Sequence, residues 1–130
     1  MKINEATQIG NTGKSILETI EIVESGSNTN GNYIKFSDGT MICYGRVNKN
    51  SGAWTAWGSI YDASISNVAT FAKSFVSTPS VSIVNTNAYG CMVELCIANT
   101  SQITRVDLAR GSTAGNISLV LSYIAIGKWE

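Results

Sequence analysis

The side chains in this sequence best placed for acid–base chemistry are the carboxylates of Asp38, Asp62, Glu94 and Asp107. Glycoside hydrolysis needs two such groups about 5–10 Å apart across a cleft, one donating a proton and one attacking or activating water. Asp38, followed by Gly39, is accounted for by a tight turn. Glu94 and Asp107 fall on neighbouring expected strands, with Arg105 and Arg110 in reach to pair with them. The sequence has no histidine, which removes the commonest general base and the Ser–His and Cys–His nucleophile pairs. Cys91 and Cys96 have no second cysteine pair or histidine to complete a zinc tetrahedron. Phosphate-binding loops, dinucleotide fingerprints and Gly-x-Ser-x-Gly elbows are missing as well. No enzyme, cofactor or metal site is expected.

Binding chemistry is better supplied. A sugar is held by an aromatic face against its C–H groups, with amides, carboxylates and guanidinium groups on its hydroxyls. Trp54 and Trp57 stand close together with Tyr61 nearby, and Tyr89 sits beside Asn87 in a polar loop. Arg105, Asp107 and Arg110 fall close to another loop. Trp54, Trp57, Asn87, Tyr89, Arg105, Asp107 and Arg110 are therefore the candidate ligand-binding residues. The same aromatics would equally close a core or a seam between chains, and the charged trio would equally form ordinary surface ion pairs. Trp129, at the end of an apolar strand, reads as structural.

These residues must be carried by a single domain of 130 residues, long enough for a core without disulfides or metals. Charged residues are only 14% of the chain, with formal net charge zero, so neither nucleic acid nor an acidic membrane is an expected partner. The N-terminus lacks the basic and apolar regions of a signal peptide, so synthesis and retention in a cytoplasm are expected. Cys43, Cys91 and Cys96 then read as reduced, small apolar residues.

One proline and twelve glycines among short apolar runs point to strands joined by turns. In Tyr33–Tyr44, Asp38-Gly39 as a two-residue type I′ loop pairs Phe36 with Met41 and Ile34 with Cys43. That register makes one face of Ile34, Phe36, Met41 and Cys43. Further strands are expected at Val81–Val84, with Val93, Leu95 and Ile97 alternating against Met92, Glu94 and Cys96, and with Val106 and Leu108 alternating against Arg105 and Asp107. From Ile117 to Ile126 both phases are apolar, as in a central strand or one at a subunit interface. Asn48–Ala53, Asn85–Gly90, Asn99–Gln102 and Gly111–Asn116 read as loops. Residues 1–25 stand apart as an oligomerisation or linker segment before a head domain of residues 26–130. Ser15-Ile16-Leu17-Glu18 matches a helix capping box, whereas Thr19–Glu24 alternates like an edge strand, so helix and extended chain both remain open.

Glu24–Gly45, with its Tyr33-Ile34-Lys35-Phe36-Ser37-Asp38-Gly39-Thr40 hairpin, resembles a segment recurrent in phage tail and baseplate proteins. Phe71–Phe75, Pro79–Ile83 and the terminal Tyr123–Trp129 resemble the C-terminal domain of tail fibre proteins with an H-type lectin-like fold. The resemblance covers residues 24 to 130. It implies an all-β, six-stranded antiparallel β-sandwich, a homotrimer, and a receptor-binding role toward host cell-surface polysaccharide. A virion location among other tail and baseplate proteins follows. The alternative is a trimerising cap of the fibre with no receptor contact. Leu108 and Leu121 stand where the family often carries aromatic residues, and no sugar-contacting position carries over.

Overall fold

The computed structural model describes residues 19–87, 90–112 and 115–130. Among these there are nine strands and no helix: β1 (Ile22–Asn28), β2 (Gly31–Phe36), β3 (Thr40–Asn50), β4 (Thr55–Trp57), β5 (Ile60–Thr70), β6 (Ser80–Asn85), β7 (Met92–Ala98), β8 (Gln102–Arg110) and β9 (Ser118–Lys128). They form two antiparallel sheets, one ordered β1-β2-β3-β9-β6 and the other β4-β5-β8-β7. This is the expected all-β sandwich architecture, with nine strands where the resemblance implied six.

The core lies where the inner phases of the sheets meet. Leu119, Leu121, Tyr123 and Ala125 of β9 and Met41 and Cys43 of β3 face Ala63 and Ile65 of β5 and Ile103, Val106 and Leu108 of β8, all buried. Phe71 and Phe75, in the β5–β6 connector, plug one end in an edge-to-face pair with ring centroids 5.3 Å apart. Trp129 is structural as expected: its indole N–H donates to the Phe36 carbonyl at 2.9 Å. All three cysteines are free, and burial pushes each thiol above its ordinary range.

The β2–β3 register differs from the expected one by one residue. Tyr33 pairs with Cys43, Ile34 with Ile42 and Lys35 with Met41. The loop holds three residues, Ser37-Asp38-Gly39: the Gly39 N–H donates to the Phe36 carbonyl at 3.1 Å, and Gly39 lies at φ 91°. Asp38 keeps negative φ and instead accepts from the Thr40 N–H at 2.9 Å, which holds its carboxyl below the usual range. A type I turn closed by one left-handed glycine replaces the type I′ turn. Because side chains alternate, the slip sends Ile34 to the outer face with Ile42, while Met41 and Cys43 remain inside opposite Lys35 and Tyr33.

Three further expectations change. A bulge between Val93 and Leu95 puts Val93 and Cys96 on the inner phase and leaves Leu95 and Ile97 outside. β3 runs on through Asn48, Lys49 and Asn50, expected as loop, because each pairs with β9 at Val120, Leu119 and Ser118. The long apolar β9 requires a partner along its length, and that tertiary demand outweighs the poor strand propensity of asparagine. β9 is central, between β3 and β6, yet only its inner phase is covered; Ile124 and Ile126 stay 42% and 45% exposed. The capping box at Ser15–Glu18 lies outside the described residues. Ile22–Glu24 is strand, and β1 straddles the boundary expected at residues 25/26.

Candidate functional site

β3 has two neighbours over its first half and one over its second. β2 pairs with it only as far as Asn32–Tyr44, whereas β9 pairs through Asn50. Among the described residues no strand covers the outer edge of Gly45–Asn50, so backbone donors and acceptors there are open to a ligand. Beside this edge lies an open cleft of about 680 Å³. One wall is the β1–β2 turn, with Asn28, Thr29, Asn30 and Asn32; the other is the segment Asn67–Thr70 of β5.

Both walls are fixed by the local sequence. In the turn, Asn28 accepts from the Asn30 N–H at 2.8 Å and donates its amide to the Ala72 carbonyl at 2.9 Å, tying the turn to the β5–β6 connector. The Tyr123 hydroxyl, rising from the core, donates to the Asn30 carbonyl at 3.0 Å. It passes over Gly45, where a Cβ would stand 2.9 Å from that oxygen, so no larger residue fits without displacement. On the opposite wall, the β5–β8 register shifts between Ser66 and Ala69, and Asn67 is left-handed at φ 51°. Asparagine is among the few residues that tolerate that conformation. Lys49 closes the floor by donating its ammonium to the Asn67 carbonyl at 2.9 Å.

A second, smaller cleft of about 320 Å³ shares Asn48 and Lys49 with the first. Asn87 lines its far side and donates to the Ser118 carbonyl at 2.6 Å. The lining is thus mostly amide, hydroxyl and backbone, with Arg46 and Lys49 as its charged members. Such a surface exchanges hydrogen bonds with a hydroxylated ligand; it offers no paired carboxylates for hydrolysis.

The residues singled out from sequence fall into separate places. Asn87 reaches the smaller cleft. Trp54 is buried at the edge of the core, with the Arg110 guanidinium over its ring at 5.7 Å from the centroid. The buried Trp54 Nε1 and Arg110 Nε have no hydrogen-bond acceptor among the described residues. Trp57, on the short edge strand β4, is 57% exposed. Arg105 and Asp107 pair on the outer face of β8, with Arg105 Nε and Nη2 at 2.8 and 2.7 Å from the two carboxylate oxygens and the Ser64 hydroxyl at 2.7 Å. That guanidinium holds the Asp107 carboxyl below the usual range. Tyr89 lies outside the described residues. The structure brings together Trp54 with Arg110 and Arg105 with Asp107, and does not gather all four with Trp57 or Asn87.

The residues that build the main cleft were not singled out from sequence. The signal available was the spacing of Asn48 and Asn50, two apart on one strand, and of Asn28, Asn30 and Asn32 across the β1–β2 turn. Comparison with family models, with curated proteins and with solved structures found no match to this chain.

Proposed function

We propose that this chain is the receptor-binding head of a phage or prophage tail fibre or baseplate, acting as a homotrimer with an H-type lectin-like fold. In this reading it holds host cell-surface polysaccharide in the cleft beside β3 and works in the virion next to other tail and baseplate proteins. The observation that carries the binding role is the amide- and hydroxyl-lined cleft on the free edge of β3. The Glu24–Gly45, Phe71–Phe75, Pro79–Ile83 and Tyr123–Trp129 resemblances supply the biological setting. Open clefts of this kind bind single glycans weakly, and several identical sites on one fibre tip multiply that affinity.

The trimer reading is supported by the outer face of the five-stranded sheet. Ile34, Ile42, Tyr44, Ile124, Ile126 and Val84 lie on one continuous surface across β2, β3, β9 and β6. Exposed apolar surface of this extent marks interaction sites in soluble proteins. The same face favours the second reading, a structural cap that trimerises without touching a receptor.

Light scattering and binding to purified host wall or capsular polysaccharide separate the readings. A trimer that binds polysaccharide, and loses binding but not assembly in Asn30→Ala/Asn48→Ala, is the expected result. A trimer with no affinity for host cells identifies the cap. A monomeric peak at micromolar concentration overturns the assembly.

A further inference from the structure

The cleft beside β3 has a distinctive charge. Arg46 and Lys49 are the charged side chains that line it and its extension, and both are cationic. Among the described residues Lys35 pairs with Glu24 at 3.2 Å and Arg105 with Asp107 at 2.7 Å, whereas Lys73 and Arg110 lie over the Tyr33 and Trp54 rings and Lys128 donates to the Asp38 carbonyl. Arg46 instead makes its one hydrogen bond through Nε to the Ser122 hydroxyl at 3.1 Å, leaving its terminal nitrogens open. Lys49 donates to the Asn67 carbonyl, with no carboxylate paired to it among the described residues. Arg46 stands on the outer phase of β3 with Ile42 and Tyr44, and Lys49 on the inner phase with Met41 and Cys43, so in a chain of zero formal net charge the two cations flank the free β3 edge from its two faces and make the field along it positive.

The shape adds a second constraint. Both concavities are lined by Asn48 and Lys49, and together their linings take in β3 from Gly45 to Asn50, a span of ~17 Å at ordinary strand rise. A ligand filling both is a chain several units long. A peptide added to the β3 edge would need apolar pockets for its alternate side chains; here Val68 and Leu119 are buried, Val47 and Val120 are half-buried, and the first cleft exposes mainly polar surface.

We infer that the groove is built for an acidic polymer of hydroxylated units, its negative groups set against Arg46 and Lys49 and its hydroxyls against Asn30, Asn48, Asn67 and Asn87. This rests on the polysaccharide-binding reading and narrows its ligand class. The source of the negative charge, carboxylate or phosphodiester, is left to the arms of the test.

Titration calorimetry of the full chain with oligogalacturonate, poly(glycerol phosphate), neutral dextran oligomers and poly-L-glutamate, in 50 and 500 mM salt, decides it. At least one of the first two should bind tenfold or more tighter than dextran in low salt, and lose most of that advantage in high salt. Arg46→Gln/Lys49→Gln should bring its affinity down about tenfold, toward that of dextran, while the chain stays folded at the assay temperature by circular dichroism. Lys49→Arg should retain binding. Equal affinity for dextran and both anions overturns the acidic class while leaving the polysaccharide reading intact. Poly-L-glutamate binding as tightly as the hydroxylated anions overturns the hydroxyl recognition and identifies simple charge attraction. Binding of none of the polymers overturns both the inference and the reading beneath it.

Discussion

From Thr40 to Tyr44, β3 runs between β2 and β9, and its inner residues Met41 and Cys43 are fully buried. From Gly45 to Asn50 it keeps β9 and loses β2, and its residues become Arg46, Val47, Asn48, Lys49 and Asn50. One strand thus serves as core in its first half and as the rim of a cleft in its second. The paired half and β9 hold the open half in place, so the groups that β3 contributes to the proposed site, Arg46, Asn48 and Lys49, sit on a strand rather than a loop. That position costs little stability, because side chains in the open half bury little apolar surface.

The strongest test of this division is Met41→Ala. Truncating a fully buried methionine removes transfer energy and leaves a cavity, so unfolding should become easier by about 2–5 kcal/mol. Urea denaturation reads the loss. Polymer affinity measured well below the lowered melting temperature should be unchanged, and a parallel loss of affinity would break the separation of the two halves.

Gly45 marks the junction. Gly45→Val places a side chain against the Tyr123 hydroxyl, 2.9 Å from its Cβ position, and should cost about 1–3 kcal/mol by overpacking. Because that hydroxyl also holds the Asn30 carbonyl, this substitution should weaken binding and stability together. Tyr123→Phe sharpens the point: it removes the hydrogen bond and frees the space, so the Gly45→Val/Tyr123→Phe pair should be less destabilised than the sum of the single variants.

Of the carboxyls held below their ordinary range, Asp38 and Glu24 are exposed and Asp107, on β8, is the one set into the fold. The Asp107 carboxyl is 6% exposed, and its folded-state value lies below the ordinary 3.8, chiefly through its hydrogen bonds from Arg105. A carboxylate depressed in this way stabilises the fold fully above its unfolded value, and the gain is lost as pH falls through the lower folded value. Stability should therefore hold from pH 7 to about 5 and fall below about pH 4. Asp107→Asn should cost about 1–2 kcal/mol at pH 7 and flatten that acid limb. Chemical denaturation at several pH values measures it; an unchanged acid limb in the variant would remove Asp107 as its source.

The fold class was legible because alternation is a local signal: Val106 and Leu108 against Arg105 and Asp107 gave the two faces of β8 correctly. What failed were features decided by one residue of geometry or by a distant partner. The Asp38-Gly39 pair specifies a turn, but a two- and a three-residue loop share that dipeptide and differ only in which residues adopt positive φ. The Val93–Leu95 bulge leaves no mark on the apolar pattern. β5 was missed because Ala63, Ser64, Ile65, Ser66 and Asn67 carry a weak alternation that depends on β8 for its meaning. The cleft was missed for the same reason as the end of β3: asparagine in sequence reads as loop, and only pairing with β9 makes Asn48 and Asn50 part of a strand. Aromatic residues drew the eye instead, and Trp54 proved to be buried.

The smallest structural effect, and the sharpest probe of the open half, belongs to Asn48→Ala. Asn48 is exposed, lines both concavities, and makes no side-chain hydrogen bond within the described protein. Its backbone pairing with Val120 needs no side chain, so stability should change by no more than about 0.5 kcal/mol. Loss of an amide that donates to and accepts from a ligand hydroxyl should weaken polymer binding roughly five- to tenfold, the equivalent of one net hydrogen bond. Calorimetry of wild type and variant against the same polymer compares them. A variant that melts early would show the amide to be structural, and the difference between the two halves of β3 would then be one of exposure alone; a variant that folds and binds as well as wild type would move the ligand away from the β3 edge.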